Sequence, residues 1–175
     1  GFMVGDPVVV ECIQSCGRCE NCLKENSVAC PDRKEVGVMR LDGGYAQYVA
    51  VPARFVHKIP GMLDMRKAAL CEPLAVVHKG LRRINHLLKS LKSSEACAVI
   101  GAGPIGHLCA QTLHLRGYRV CVFDQDPRRL SYFSGTEIET GKDLGTIDEF
   151  RVIIEATGDP KALGAALKRS APGTA

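Results

Sequence analysis

The spacing of apolar positions along this chain changes near residue 73, which divides it into two parts of different character. Before that point, apolar residues come in short runs or alternate with polar ones. Val8-Val9-Val10 and the alternating stretch 45–51 predict strands, with a turn at Gly43-Gly44. Val51-Pro52-Ala53 is expected to end the second strand, because proline has no amide proton to give a ladder. Val56, Lys58 and Ile59 lead to a turn at Pro60-Gly61. This part is expected to be mostly β.

From Pro73 onward, Leu74, Val77, Leu81, Ile84, Leu88 and Leu91 recur at three and four residues, the stripe of a helix, which Gly80 is expected to weaken or break. Ser93-Ser94-Glu95 is a polar break. The apolar run 96–100 predicts a buried strand and leads into Gly101-Ala102-Gly103-Pro104-Ile105-Gly106. Ile105, Leu108, Cys109, Thr112 and Leu113 then follow helical spacing up to Arg116-Gly117, where glycine suits a helix C-terminus. A second buried strand, 120–123, ends in Asp124. Asp126-Pro127 reads as a helix cap with proline in the first helical position. A third strand, 152–154, is followed by Ala156-Thr157-Gly158. Alternating strands and helices predict an α/β fold with a parallel sheet.

Composition narrows the class. The 175 residues, 46% of them apolar, can bury the core of one ordinary domain or two small ones. No apolar run is long enough to span a bilayer and no secretory signal is evident, so no membrane association is expected. Nine cysteines in that setting predict a reducing, cytoplasmic environment, where thiols bind metal or lie buried. Both chain ends read as cut, the last four residues as the approach to another strand. The net charge of +4 is local: Lys79, Arg82, Arg83, Lys89 and Lys92 stand in a segment without acids, and the remainder is close to neutral. These residues fall mostly off the apolar stripe, which makes them a solvated helix face. Nucleic-acid binding is disfavoured, since the patch is narrow and tryptophan is absent.

Candidate chemistry sits in two places. Cys16, Cys19, Cys22 and Cys30 have the spacing of a closed four-thiolate zinc site, which staples a loop and does no chemistry. The alternative is buried or disulfide-paired cysteines. Cys12 lies outside the cluster, and Cys71, Cys97, Cys109 and Cys121 read as apolar fillers. The second place is the glycine run after a strand and before a helix: Gly101 permits a tight turn, Gly103 admits a pyrophosphate to the backbone amides, and Gly106 lets helix and strand approach. Asp124 can accept from both ribose hydroxyls and would repel a 2′-phosphate, which favours NAD over NADP; a turn or cap aspartate is the alternative. Arg129 can reach the ribose or phosphate edge or lie on the surface, and Arg128 keeps NADP open. Glu72, between apolar residues at a helix start, reads by composition as a carboxylate favoured by the helix dipole. His57, His86, His107 and His114 show no paired ligand spacing and read as surface or packing histidines, while His78 stands out for its place on the helix after Glu72. No GxSxG, HExxH or Walker sequence is present.

Taken in order, these segments resemble the zinc-containing medium-chain alcohol/polyol dehydrogenases. GDPVVVECIQSCGRCENCLKENSVAC is similar to their structural-zinc lobe, DGGYAQYVAVPARFVHKIP to the strand pair that follows, and ALCEPLAVVHKGLRR to the entry into the cofactor domain. VIGAGPIGHLCAQTLHLRGYRVCVFDQDPRRL and VIIEATGDPKALGAAL match their Rossmann half. The Glu-Pro-Leu form points to the sorbitol, threonine and sugar-alcohol branch.

The resemblance implies part of a GroES-like catalytic domain over 1–72, with a zinc lobe at 12–31, and part of an NAD-binding Rossmann domain over 73–175. It implies a structural zinc on the four cysteines, NAD at Gly101, Gly103, Pro104, Ile105, Gly106, Asp124, Arg129, Ala156 and Thr157, and Glu72 beside a catalytic zinc. The reaction implied is oxidation of a secondary alcohol, a polyol, sugar acid or amino alcohol such as threonine, by a homodimer or homotetramer. Three departures accompany it. The family's main catalytic-zinc ligands, a cysteine and a His-Glu pair, lie upstream of Gly1; the end of the cofactor domain is missing; and the passage 131–150 is short. Two other readings stay open, a noncatalytic dinucleotide-binding or scaffold module with a structural zinc, and a zinc-ribbon nucleic-acid binder.

Overall fold

A computed structural model describes residues 1–92, 95–170 and 174. The chain divides into two compact units, Gly1–Glu72 and Pro73–Ala175.

In the first unit, β1 (Val8–Val10) opens the chain and β2 (Ile13–Gln14) leads into a cysteine-rich loop carrying α1 (Glu20–Leu23). β3 (Lys34–Val36) pairs antiparallel with β2 and parallel with β4 (Arg40–Leu41), while β5 (Val56–Lys58) returns antiparallel to β1. The stretch 45–51 is not a strand. Tyr45 and Tyr48 are fully or nearly fully exposed, and no neighbouring backbone within this unit pairs with the segment. Alternation marks a chain able to form a strand, but a ladder needs a partner to accept its hydrogen bonds. Pro52 instead caps a single 3-10 turn at Ala53–Phe55. A short helix, α2 (Met65–Ala68), follows, with the Asp64 carboxylate accepting from the Arg66 amide.

Helix α3 (Cys71–Arg83) runs through Gly80 without a break, since one glycine costs a helix only about 1 kcal/mol and Val77 and Leu81 on either side are buried. The break comes at Ile84, whose carbonyl accepts from the amides of Leu87 and Leu88 and so starts α4 (Asn85–Ser90). Cys71 is exposed at the first turn of α3 rather than packed as a filler. The expected break at Ser93-Ser94 lies outside the described residues. So does the expected strand approach at 172–175, except Thr174, whose hydroxyl donates to the Phe150 carbonyl at 3.3 Å.

The second unit is built on a four-stranded parallel sheet. Strand β6 (Ala96–Ile100) leads to α5 (Pro104–Leu115), β7 (Arg119–Phe123) to α6 (Pro127–Ser131), and β8 (Glu139–Gly141) to a single 3-10 turn at Ile147–Glu149. β9 (Val152–Glu155) precedes α7 (Pro160–Arg169). The spatial order β8-β7-β6-β9 reverses direction between β6 and β9. In open α/β sheets such a switch point opens a crevice at the carboxyl ends of the strands.

Alternation along β6 splits the core in two. Cys97 and Val99 face Val77, Leu81, Leu88, Cys109 and Leu113 on one side, while Ala98 and Ile100 face Ile147, Phe150 and Ala166 on the other. Cys97, Cys109 and Cys121 are buried as anticipated, and desolvation pushes their thiols up to about 12, 11 and 11. Among the described residues no helix is long and apolar enough to cross a membrane.

Candidate functional sites

The cysteine cluster assembles as its spacing predicts. The Sγ atoms of Cys16, Cys19, Cys22 and Cys30 all lie within 4.8 Å of one another, with Cys19 and Cys22 3.4 Å apart and Cys16 and Cys22 3.9 Å apart. A tetrahedron with zinc–sulfur bonds of about 2.3 Å has edges of about 3.8 Å, so the arrangement fits that ion closely. All nine cysteines are free, which removes the disulfide alternative, and Cys12 stands outside the group. Backbone amides prepare the sulfurs: the Cys16 amide donates to Cys30 Sγ and the Cys19 amide to Cys16 Sγ, each at 3.4 Å. Amides of Arg18 and Cys19 bring the Cys16 thiol down to about 6. At Cys19 a hydrogen bond from the Cys22 amide lowers the thiol, but burial and the neighbouring sulfurs of Cys22 and Cys16 prevail and push it up to about 11. With four protein donors no coordination position is left for a substrate, so an ion held there is structural.

The second constellation lies at the carboxyl ends of β6, β7 and β9. Gly101 takes φ +100°, and a Cβ on it would fall 2.8 Å from Thr157 Cγ2. The turn is fixed to both neighbouring strands, because the Gly101 amide donates to the Phe123 carbonyl at 2.7 Å and the Ala156 amide to the Ile100 carbonyl at 2.8 Å. Gly106, inside α5, leaves room for the Gly101 carbonyl, which a Cβ would approach to 1.8 Å. Gly103 has no protein atom within 4 Å of a would-be Cβ, which leaves the space at the start of α5 open. Pro104 occupies the first helical position, where its missing amide proton costs nothing.

Asp124 ties the constellation together. Its side chain is 9% exposed, Oδ2 accepts the Ala102 amide at 2.7 Å, and Oδ1 accepts the Asp126 amide at 2.8 Å. Arg129 Nη1 stands 3.6 Å from Oδ2, while Arg128 is engaged with Asp126 at 3.2 Å. An open cleft of about 670 Å³ is lined by Asp124, Arg129 and Thr157 together with Lys142, Lys161 and Arg169. Ile105 and Ala156 line a separate apolar cavity of about 360 Å³ against α3.

Glu155, which sequence reading passed over, closes the arrangement: its Oε1 accepts from the amide and hydroxyl of Thr157 and, at 3.2 Å, from the Gly158 amide. Its signal was the same as that of Asp124, an acid directly after an apolar run and a few residues before an Asp-Pro helix start.

Glu72 lies exposed in the first turn of α3, and its charge helps raise the Cys12 thiol, after burial. No further metal-ligand grouping forms around it among the described residues. The histidines stand apart from one another. His57 pairs with Glu11 at 2.7 Å, His78 with Arg116 at 3.1 Å, and His107 packs against Phe133.

Comparison with known proteins agrees with this geometry. Residues 1–61 match the alcohol dehydrogenase GroES-like domain, and residues 99–136 match an NAD(P)-binding Rossmann-like domain. A sorbitol dehydrogenase of Bacillus subtilis is 31% identical over 95% of this chain and 49% of its own length. A D-altritol 5-dehydrogenase of Agrobacterium fabrum is 34% identical over 90% of this chain and 48% of its own. Among solved structures, a zinc-binding dehydrogenase from Sinorhizobium meliloti bound to NADP superposes with a TM-score of 0.80 and 26% identity, covering 98% of this chain and 53% of the other. The chain spans about half the length of the curated relatives it matches.

Proposed function

The chain belongs to the zinc-containing medium-chain alcohol/polyol dehydrogenase family, and from that premise we propose that it serves an oxidoreductase moving a hydride from a secondary alcohol to NAD. The observation that carries this reading is the bond from Ala102 of the glycine loop to Asp124 at a sheet switch point. The substrate class is a polyol, sugar acid or amino alcohol, in keeping with relatives named for sorbitol and D-altritol. Residues 1–72 are assigned to the catalytic domain, with its zinc lobe at 12–31, and 73–175 to the dinucleotide-binding domain.

In this reading Cys16, Cys19, Cys22 and Cys30 hold a structural zinc. The start of α5 presents unpaired backbone amides to a pyrophosphate, and Gly103 leaves space for its approach. Asp124 and Arg129 address the adenosine ribose, Gly101 and Gly106 set the turn, and Pro104, Ile105, Ala156 and Thr157 complete the walls. The dinucleotide supplies the hydride acceptor when bound. Glu72 is assigned to the neighbourhood of a catalytic zinc, but the described residues group no other ligand with it, so this chain by itself does not assemble that site.

The test combines zinc analysis and NADH binding on this chain with turnover of sorbitol and threonine by a protein extended to the length of the relatives. One zinc per chain here, two in the extended protein, and NAD-linked turnover are expected. One zinc in both, with NADH binding and no turnover, would establish the noncatalytic binding module instead.

A further inference from the structure

A cleft of about 860 Å³ in the first unit, separate from the dinucleotide constellation, is lined by Arg18, Lys34, Arg40 and Arg54, with Asp32 as the acid among them. Its volume falls in the usual range for small-molecule sites, about 300–1,000 Å³. Among the described residues none of the four cations makes an ion pair; the Arg54 guanidinium lies over the Phe55 ring at 4.6 Å. Arg40 holds φ +61°, a conformation that costs a non-glycine residue free energy. Gln14 also lines the cleft. It is 6% exposed, and its Nε2 is buried without a hydrogen-bond partner. Buried donors are nearly always paired, so this unpaired amide in the wall of the same cleft is unusual.

We propose that this cleft binds a small phosphate-bearing anion. Cations gathered around a concave surface focus a positive potential, and the planar guanidinium forks of Arg18, Arg40 and Arg54 suit the several acceptor oxygens of a phosphate group. A closed four-thiolate zinc site carries two net negative charges, and Cys16 also lines the cleft, so offsetting that charge is the competing role for the same cations.

The experiment follows the Gln14 side-chain amide by NMR while inorganic phosphate is added to the zinc-loaded chain, with and without saturating NAD. A saturable shift that persists with NAD, and an affinity at least tenfold weaker in the doubly neutralised Arg40→Gln/Arg54→Gln chain, are expected. Zinc content measured on both chains should stay at one. No saturable shift, a shift abolished by NAD, or equal affinity in the two chains would overturn the proposal. Loss of zinc from the neutralised chain, with no phosphate response in the parent, would assign the cations to the cluster instead. Failure of the dinucleotide reading would leave the phosphate response untouched, so the two are separable.

Discussion

The Ala102 amide donates to Asp124 Oδ2 at 2.7 Å, which joins the glycine loop after β6 to the acid that ends β7. The carboxylate fixes the loop in the free protein, and in the reading proposed above it also offers its remaining lone pairs to a ribose. Because the group is almost buried, replacing it changes the loop as well as the ligand. Asp124→Ser is expected to weaken NADH binding and to reduce the preference for NAD over NADP at least tenfold, by removing the charge that repels a 2′-phosphate. A hydrogen bond to a charged group contributes about 1.5–3 kcal/mol, so a comparable loss of stability should accompany it. Fluorescence titration with both reduced coenzymes checks the preference; unchanged discrimination would remove Asp124 from the ribose site.

Two glycines of the same loop should separate packing from binding. A Cβ at position 106 would lie 1.8 Å from the Gly101 carbonyl, whereas one at 103 meets no protein atom within 4 Å. Gly106→Ala is expected to destabilise the fold by at least about 2 kcal/mol, at the upper part of the range for overpacking. Gly103→Ala should leave the melting temperature nearly unchanged and weaken NADH binding several-fold. Parallel thermal unfolding and NADH titration of the two variants measure both effects.

Much of this site was legible because its chemistry depends on local spacing. Four thiols along Cys16–Cys30, or an acid closing a strand one crossover after a glycine turn, constrain the fold wherever they occur. The stretch 45–51 was misread because alternation reports a capacity to pair, while the pairing depends on backbone elsewhere. Helix α3 breaks at Ile84 and not at Gly80 because burial of Val77 and Leu81 outweighs a weak local preference. The shortened passage after Ser131 was visible as missing length, and it appears as a three-residue strand and one 3-10 turn. The unpartnered amide of Gln14 had no sequence signal, since only the fold decides which polar side chain is enclosed.

Metal binding at the cluster should follow pH with a definite sign. Zinc binds thiolates, so every thiol protonated in the metal-free lobe must release its proton on binding. Cys16, held at about 6, is already ionised at neutral pH, whereas Cys19, at about 11, is not. Zinc affinity is therefore expected to fall as pH is lowered from 8 toward 5, with the lobe's metal-derived stability falling with it. Cys22→Ser should release the ion at neutral pH. A chromophoric chelator competing across that pH range reads both; pH-independent retention would contradict the four-thiolate site.

Cysteine reactivity should sort by burial. In the zinc-loaded chain, Cys12 and Cys71 are the exposed thiols outside the cluster, while Cys97, Cys109 and Cys121 are enclosed and lifted to about 11 or 12. Brief treatment with iodoacetamide at pH 8 is expected to modify Cys71 and Cys12 and to spare the other three. Burial and the charges of Glu72 and Glu35 raise the Cys12 thiol, so it should react more slowly than an unhindered peptide cysteine. Peptide mapping by mass spectrometry gives the order.

Glu155 provides a test of how the turn after β9 is held. One carboxylate oxygen gathers the Thr157 amide, the Thr157 hydroxyl and the Gly158 amide, and Thr157 Oγ1 in turn accepts the Asp159 amide at 2.9 Å. The Thr157 methyl group occupies the space a side chain at position 101 would need, so the turn and the glycine loop are set against each other. Glu155→Ala leaves those donors to water and frees the turn to move away from Gly101. NADH affinity is expected to fall about tenfold, the size of losing one charge-assisted hydrogen bond's worth of preorganisation, with a smaller loss of stability because the residue is partly exposed. Glu155→Gln keeps one acceptor oxygen and should recover part of the affinity. If both variants bound NADH like the parent chain, the turn would have no part in the dinucleotide site, and Thr157 would leave the set of residues assigned to it.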